Sequence, residues 1–164
     1  MGAVLLLVKQ AAQDRRNDEA RSLLSLAIDA GFSPAKFFLA EVYDKGQLGL
    51  EKDYQSAFKW YYMAAKDGQA EAMAAVAYYF NRGLHGVQDD TAALHWYHEA
   101  AKAGHVESMT AYGWMLAVGK GGTVDLAEAN HYFQKAARKG DRQAGRFLQE
   151  FSVPPGSNSR VTKG

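Results

Sequence analysis

Cysteine is absent from this 164-residue chain, which excludes internal disulfides, thiolate-bound zinc and a cysteine nucleophile together. An excess of either charge is missing as well. The formal net charge is +1 with acids and bases interspersed, so no basic stripe is present to track a nucleic acid. Long apolar runs are lacking too: Ala3-Val4-Leu5-Leu6-Leu7-Val8 is too short to span a bilayer. Without a preceding basic residue or a clear small-x-small cleavage site, it does not read as a signal peptide either. These absences predict a cytoplasmic chain with no membrane span, periplasmic or secreted only if the sequence is a processed form. Catalytic signatures are equally scarce. No His-Glu-x-x-His arrangement occurs, and Gly119-Lys120-Gly121-Gly122 has neither the preceding strand nor the Gly-Lys-Ser/Thr ending of a phosphate loop.

What is present is a repeat. Trp60-Tyr61, Trp96-Tyr97 and Tyr132-Phe133 fall 36 residues apart, each followed by a double alanine (Ala64-Ala65, Ala100-Ala101, Ala136-Ala137) and then by Gly68, Gly104 or Gly140. A period of that length denotes a solenoid of helix pairs. With 48% hydrophobic and 23% charged residues, the composition is that of a soluble globular protein. The first helix of each unit carries a four-step stripe with a small residue inside it: Ala35, Leu39, Ala40, Tyr43; Ala72, Val76, Ala77, Phe80; Ser108, Tyr112, Gly113, Leu116. Such spacing marks one helix face. Glycine pairs follow (Gly46 and Gly49, Gly83 and Gly86, Gly119 and Gly122), and predict a helix stop and a turn of positive φ. Asp53, Asp89 or Asp90, and Asp125 then stand where a second helix needs its N-cap.

The expected fold is therefore all-α: an α/α superhelix, a right-handed solenoid of antiparallel helix pairs. The expected units are an N-terminal cap over 1–32, full units at 33–68, 69–104 and 105–140, a capping helix at 141–151, and a disordered tail over 152–164. In the cap, Leu7, Val8 and Ala11 face Ala20, Leu24 and Ala27 across the glycine-free connection Asp14-Arg15-Arg16-Asn17. Because one unit alone exposes a hydrophobic face, stability must come from stacking.

The pattern Ala-x-x-x-Leu-Gly-x-x-Tyr, glycine loop, Asp, Ala, Trp-Tyr, Ala-Ala, Gly resembles the Sel-1-like repeat family, a relative of tetratricopeptide repeats. The likeness is closest over 35–68 and 72–104, good over 108–140, and weaker at both ends. Ala40 and Ala77 stand where the family usually has glycine, and Tyr132-Phe133 replaces Trp-Tyr. The resemblance implies an adaptor or scaffold that binds a protein or peptide, and the expectation is a non-catalytic monomer that binds on its concave face and uses no metal or other cofactor. A secreted, disulfide-linked branch of the family is associated with β-lactam binding or hydrolysis, and the lack of cysteine separates this chain from it. Two further readings are a cell-envelope-associated hydrolase or ligand-binding protein, and a structural or immunity protein docking by its convex face or ends.

In related tetratricopeptide domains the first helices line the concave face, so candidate partner-binding residues are first-helix positions that do not repeat. These are Phe37, Glu41, Asp44 and Lys45 in one unit, Tyr78, Asn81 and Arg82 in the next, and Thr110 and Trp114 in the third. Tyr78 and Trp114 lead, because large amphipathic aromatics most often anchor interfaces. Lys45, Asn81 and Arg82 can hydrogen-bond a partner carboxylate or backbone. The competing account is that Tyr78 and Trp114 only fill space between adjacent first helices, and that Lys45 and Arg82 only face solvent. Among the five histidines, His95 and His98 lie close enough on one helix to share an ion, beside Glu99, but their spacing fits surface positions on second helices better than a ligand set. Glu71 and Glu107 sit where a negative charge favours a helix N-terminus.

Overall fold

The computed structural model describes residues 2–151; the expected tail at 152–164 lies outside them. The described residues form nine α-helices and no strand: α1 (Gly2–Gln13), α2 (Asn17–Asp29), α3 (Ser33–Lys45), α4 (Tyr54–Lys66), α5 (Ala70–Arg82), α6 (Asp90–Lys102), α7 (Val106–Val118), α8 (Leu126–Arg138) and α9 (Arg142–Glu150). Each packs on its neighbours in the chain, and α7 also touches α9. The result is a helical repeat solenoid in which α1, α3, α5, α7 and α9 are first helices and the others second helices.

The helices from α2 to α8 are all 13 residues long, a uniformity set by their ends. Asp53, Asp89 and Asp125 accept hydrogen bonds from the backbone N–H groups of Ser56, Ala92 and Glu128 at 3.0, 2.9 and 2.9 Å. Each satisfies a donor that the helix start leaves open. The first helices α3, α5 and α7 stop at left-handed Gly46, Gly83 and Gly119. Every loop then closes in the same way: the N–H groups of Asp53, Asp89 and Asp125 return to the carbonyls of Tyr43, Phe80 and Leu116 at 3.0, 3.0 and 3.1 Å.

The sequence pattern does not show where these loops rest. Loop 46–53 lies on the start of α2, where Arg21 donates to the Leu48 carbonyl at 2.7 Å. In loop 83–89, His85 stacks on Phe58 of α4 with ring centroids 4.0 Å apart. Gly121 approaches α6 so closely that a Cβ there would lie 2.1 Å from the Asp90 carbonyl oxygen. Each loop thus clips the second helix of the unit before it. His85 serves as an aromatic plug, and the positive φ expected in part at Gly122 falls instead on Gly121.

Alanines carry the close helix contacts. Ala57, Ala64, Ala72, Ala77, Ala93, Ala100, Ala101, Ala129 and Ala136 are fully buried, interleaved with Tyr61, Tyr97 and Phe133. Small residues bring the helix backbones together and the rings fill the gaps left between them. The cap pair differs from expectation at one position: Val8, Ala11, Ala20, Leu24 and Ala27 are buried, but Leu7 is 55% exposed. Leu7 falls on the outer side of α1, where no further helix covers it among the described residues. The glycine-free turn closes by placing Arg15 itself at φ 57°.

Candidate functional site

A groove opens along the first helices of the last three units. Asn81 of α5, Thr110, Ala111, Trp114 and Met115 of α7, and Gln143 and Phe147 of α9 line a hollow of about 260 Å³, with Tyr97 of α6 at its base. A second hollow, of about 360 Å³ and sharing Asn81 and Trp114 with the first, is lined by Asn81, Arg82, Gln88, Trp114 and Lys120. Four candidates from the sequence, Asn81, Arg82, Thr110 and Trp114, are therefore brought together. Trp114 is 36% exposed and Tyr78, one turn before Arg82 on α5, is 48% exposed.

The polar groups of the groove are held by neighbours. Thr110 is buried and donates to Asp141 at 2.7 Å. Asp141 also caps α9, accepting from the N–H groups of Gln143 and Ala144. Burial works against the Asp141 charge, yet the bonds from Thr110, Ala144 and Gln143 outweigh it and hold the carboxyl below the ordinary carboxylate range. Lys120 donates to Asn81 and lies 3.3 Å from Asp90, so one loop cation fixes the Asn81 amide. Burial raises the Tyr97 hydroxyl above its ordinary value, opposed by a hydrogen bond with Asn81.

The candidates on α3 are placed elsewhere and already have partners. Phe37 packs on Tyr61 with centroids 5.3 Å apart. Glu41 and Lys45 form an ion pair at 2.6 Å along one helix turn. Asp44 accepts from the Tyr79 hydroxyl, whose proton is held firmly, first by burial and then by that carboxylate. These contacts stitch α3 to itself and to the next unit.

Glu107, Lys120, Gln143 and Phe147 also line the groove and were not among the candidates. Glu107 lies in the first turn of α7, where its charge also favours the helix N-terminus, and the other three belong to a loop and to the capping helix, outside the repeated stripe. Of the histidines, His98 stacks on Tyr112 at 4.6 Å, and His105 caps α7 by accepting from the Ser108 N–H. No group of three or more His, Asp or Glu among the described residues could hold a metal ion. No helix among them is long and apolar enough to cross a membrane. Chemically, the groove offers an exposed aromatic, oriented amides and two kinds of charge. The Thr110 hydroxyl and the Asp141 carboxylate are bonded to each other and to the α9 cap.

Comparison with known proteins gives the same architecture. The family model of the Sel1 repeat matches residues 33–69, 70–105 and 106–141, which span α3 to α8. A Sel1 repeat protein from Oxalobacter formigenes superposes with a TM-score of 0.81 at 26% identity, over 89% of this chain and 60% of that one. A protective antigen of uropathogenic Escherichia coli with an SLR fold superposes at 0.76 and 27% identity, over 80% of this chain and 28% of that one. The chain thus spans 60% of the length of the first and 28% of the second. Cysteine rich protein B of Helicobacter pylori, at 20% identity and a TM-score of 0.59, over 76% of this chain and 94% of that one, shares the fold. No curated protein matches the sequence.

Proposed function

The chain belongs to the Sel1 repeat family, and from that premise we propose that it is a monomeric, non-catalytic adaptor or scaffold holding a protein or peptide on the concave layer of its first helices. Sel1 repeat proteins generally mediate protein–protein interaction, and the fold is typically a non-catalytic repeat scaffold. The observation that carries the reading is the exposure of Trp114 inside the groove: it is more open than Trp60 and Trp96, which pack against the core. Tyr78 adds a second exposed ring on the neighbouring first helix. Rings of this kind, partly desolvated before binding, hold a large share of interface energy.

Replacing both, Tyr78→Ala with Trp114→Ala, is expected to weaken partner binding by about 30-fold or more, since two anchor truncations cost at least ~2 kcal/mol. The helical circular dichroism signal is expected to persist. Crosslinking in the native cell followed by mass spectrometry locates the contact. Crosslinks confined to second helices, or a double variant that unfolds at much lower temperature while keeping its affinity, would overturn the reading. Docking by an end has its own support, because Leu6, Leu7 and Leu26 leave an apolar surface on the first helix pair; crosslinks to α1 and α2 would favour it.

A further inference from the structure

We infer that the groove takes an extended peptide of about five residues with opposite charges at its two ends and a large apolar side chain between them. The inference rests on the proposed binding role and deepens it by naming the chemistry of the ligand. The two hollows share Asn81 and Trp114 and so form one channel with Trp114 at its middle. On one side of Trp114 stand Arg82, Gln88 and Lys120. On the other stand Glu107, Thr110, Asp141 and Gln143.

These charges are not equally available. Lys120 is committed to Asn81 and Asp90, whereas Arg82 is exposed and no acid pairs with it among the described residues. Asp141 is committed to Thr110 and the α9 cap. Glu107 has a side chain 80% exposed and only a 3.5 Å approach to His105. Among the described residues that line the two hollows, Arg82 is the cation without an acidic partner and Glu107, with only the His105 imidazole near it, is the most exposed anion, and the two mark the ends. Beyond Glu107 the surface turns basic at Lys139 and Arg142, which bounds the acidic stretch.

Arg82 ends α5 and Glu107 begins α7, so the channel follows the length of equivalent first helices. The axial offset between the two positions, eleven residues on equivalent helices, is about 16 Å at ~1.5 Å per residue, and an extended chain covers it in about five residues at ~3.3 Å each. Hollows of this size receive side chains, while a helix about 10 Å across does not fit inside them. The middle position meets Trp114, Ala111 and Phe147, which favour an aliphatic or aromatic side chain.

The test uses the full chain and four fluorescein-labelled, glycine-flanked pentapeptides with a central leucine, read by fluorescence anisotropy. Two carry Asp at one end and Lys at the other, in either order; one carries Asp at both ends and one Lys at both. The wild-type chain is expected to bind a mixed peptide on the order of tenfold more tightly than either uniform one. Arg82→Glu should make the all-Lys peptide the tightest, Glu107→Lys the all-Asp peptide, and the double charge swap should restore preference for a mixed one. Both positions are exposed, so circular dichroism should be unchanged. An order of preference that ignores the swaps, or four peptides that all fail to bind the wild-type chain, overturns the inference. In either case, partner crosslinks that remain at Tyr78 and Trp114 keep the broader binding role, and their absence removes that as well.

Discussion

Gly113 shows how much one side chain decides. A Cβ at this position would lie 2.8 Å from the Phe133 ring and 3.1 Å from the Ala129 carbonyl, a contact that must be relieved by moving α7 away from α8. The equivalent positions are Ala40 and Ala77, each in a core cluster with a tyrosine, Tyr61 or Tyr97. The third unit instead has a fully buried phenylalanine, and glycine makes room for it. Gly113→Ala is expected to destabilise the chain by about 1–3 kcal/mol through overpacking, against the small gain alanine brings to helix propensity. Urea unfolding reads the sum, and a more stable variant would refute the close fit. At this scale the repeat pattern set Trp114 and Tyr78 outside the packing stripe, and both rings are exposed. It did not show that Phe37 and Asp44 have partners within the fold, Tyr61 and Tyr79, because a position that varies between units can pair with one that varies with it.

Helix starts and loops were legible to different degrees. Asp53, Asp89 and Asp125 were visible as caps because a cap is a local contract between a side chain and the next three residues. Docking of the loops on the preceding unit was not visible, since Leu48, His85 and Gly121 perform it with unlike chemistry at one loop position. The cap of α9 offers a quantitative test. Asp141→Ala removes two backbone contacts and the Thr110 bond, and is expected to cost about 1 kcal/mol or somewhat more. The folded carboxyl titrates below its ordinary value. Its charge-dependent stabilisation is therefore complete above the unfolded value near ~3.9 and is lost as the pH falls through the lowered folded value. The gap in melting temperature between wild type and Asp141→Ala should accordingly narrow as the pH drops from about 6 to about 3. A gap that stays constant over that range would show that the carboxylate is not the stabilising species.

Across the whole molecule, stability is a matter of neighbours. The core divides into three clusters, one around α1 to α3, one around α3 to α6, and one around α5 to α9, with no single centre. Phe147 and Phe151 close the last of these, their rings 5.3 and 6.1 Å from Phe133. Phe147→Ala is expected to cost about 2–3 kcal/mol, less than a fully buried phenylalanine because Phe147 is partly exposed. Hydrogen exchange should show the loss concentrated in α7 to α9, with α1 to α3 keeping their protection; uniform loss from end to end would contradict the nearest-neighbour picture. The 36-residue period made the solenoid legible from the sequence. The groove was half legible, because the placement of its helices and loops follows the period while the side chains at Lys120, Gln143 and Phe147 differ from those at the equivalent positions Leu84, Glu107 and Ala111.

The loop clips all point one way: among the described residues each of the three loops reaches back to grip the helix pair made before it. During synthesis the chain emerges from its N-terminus, so every newly exposed unit finds its docking site already built. Folding can then proceed in the order of translation, with each step fastening the last. The same polarity makes the solenoid extensible, since a whole repeat inserted after α8 brings its own clip and finds a ready surface to hold.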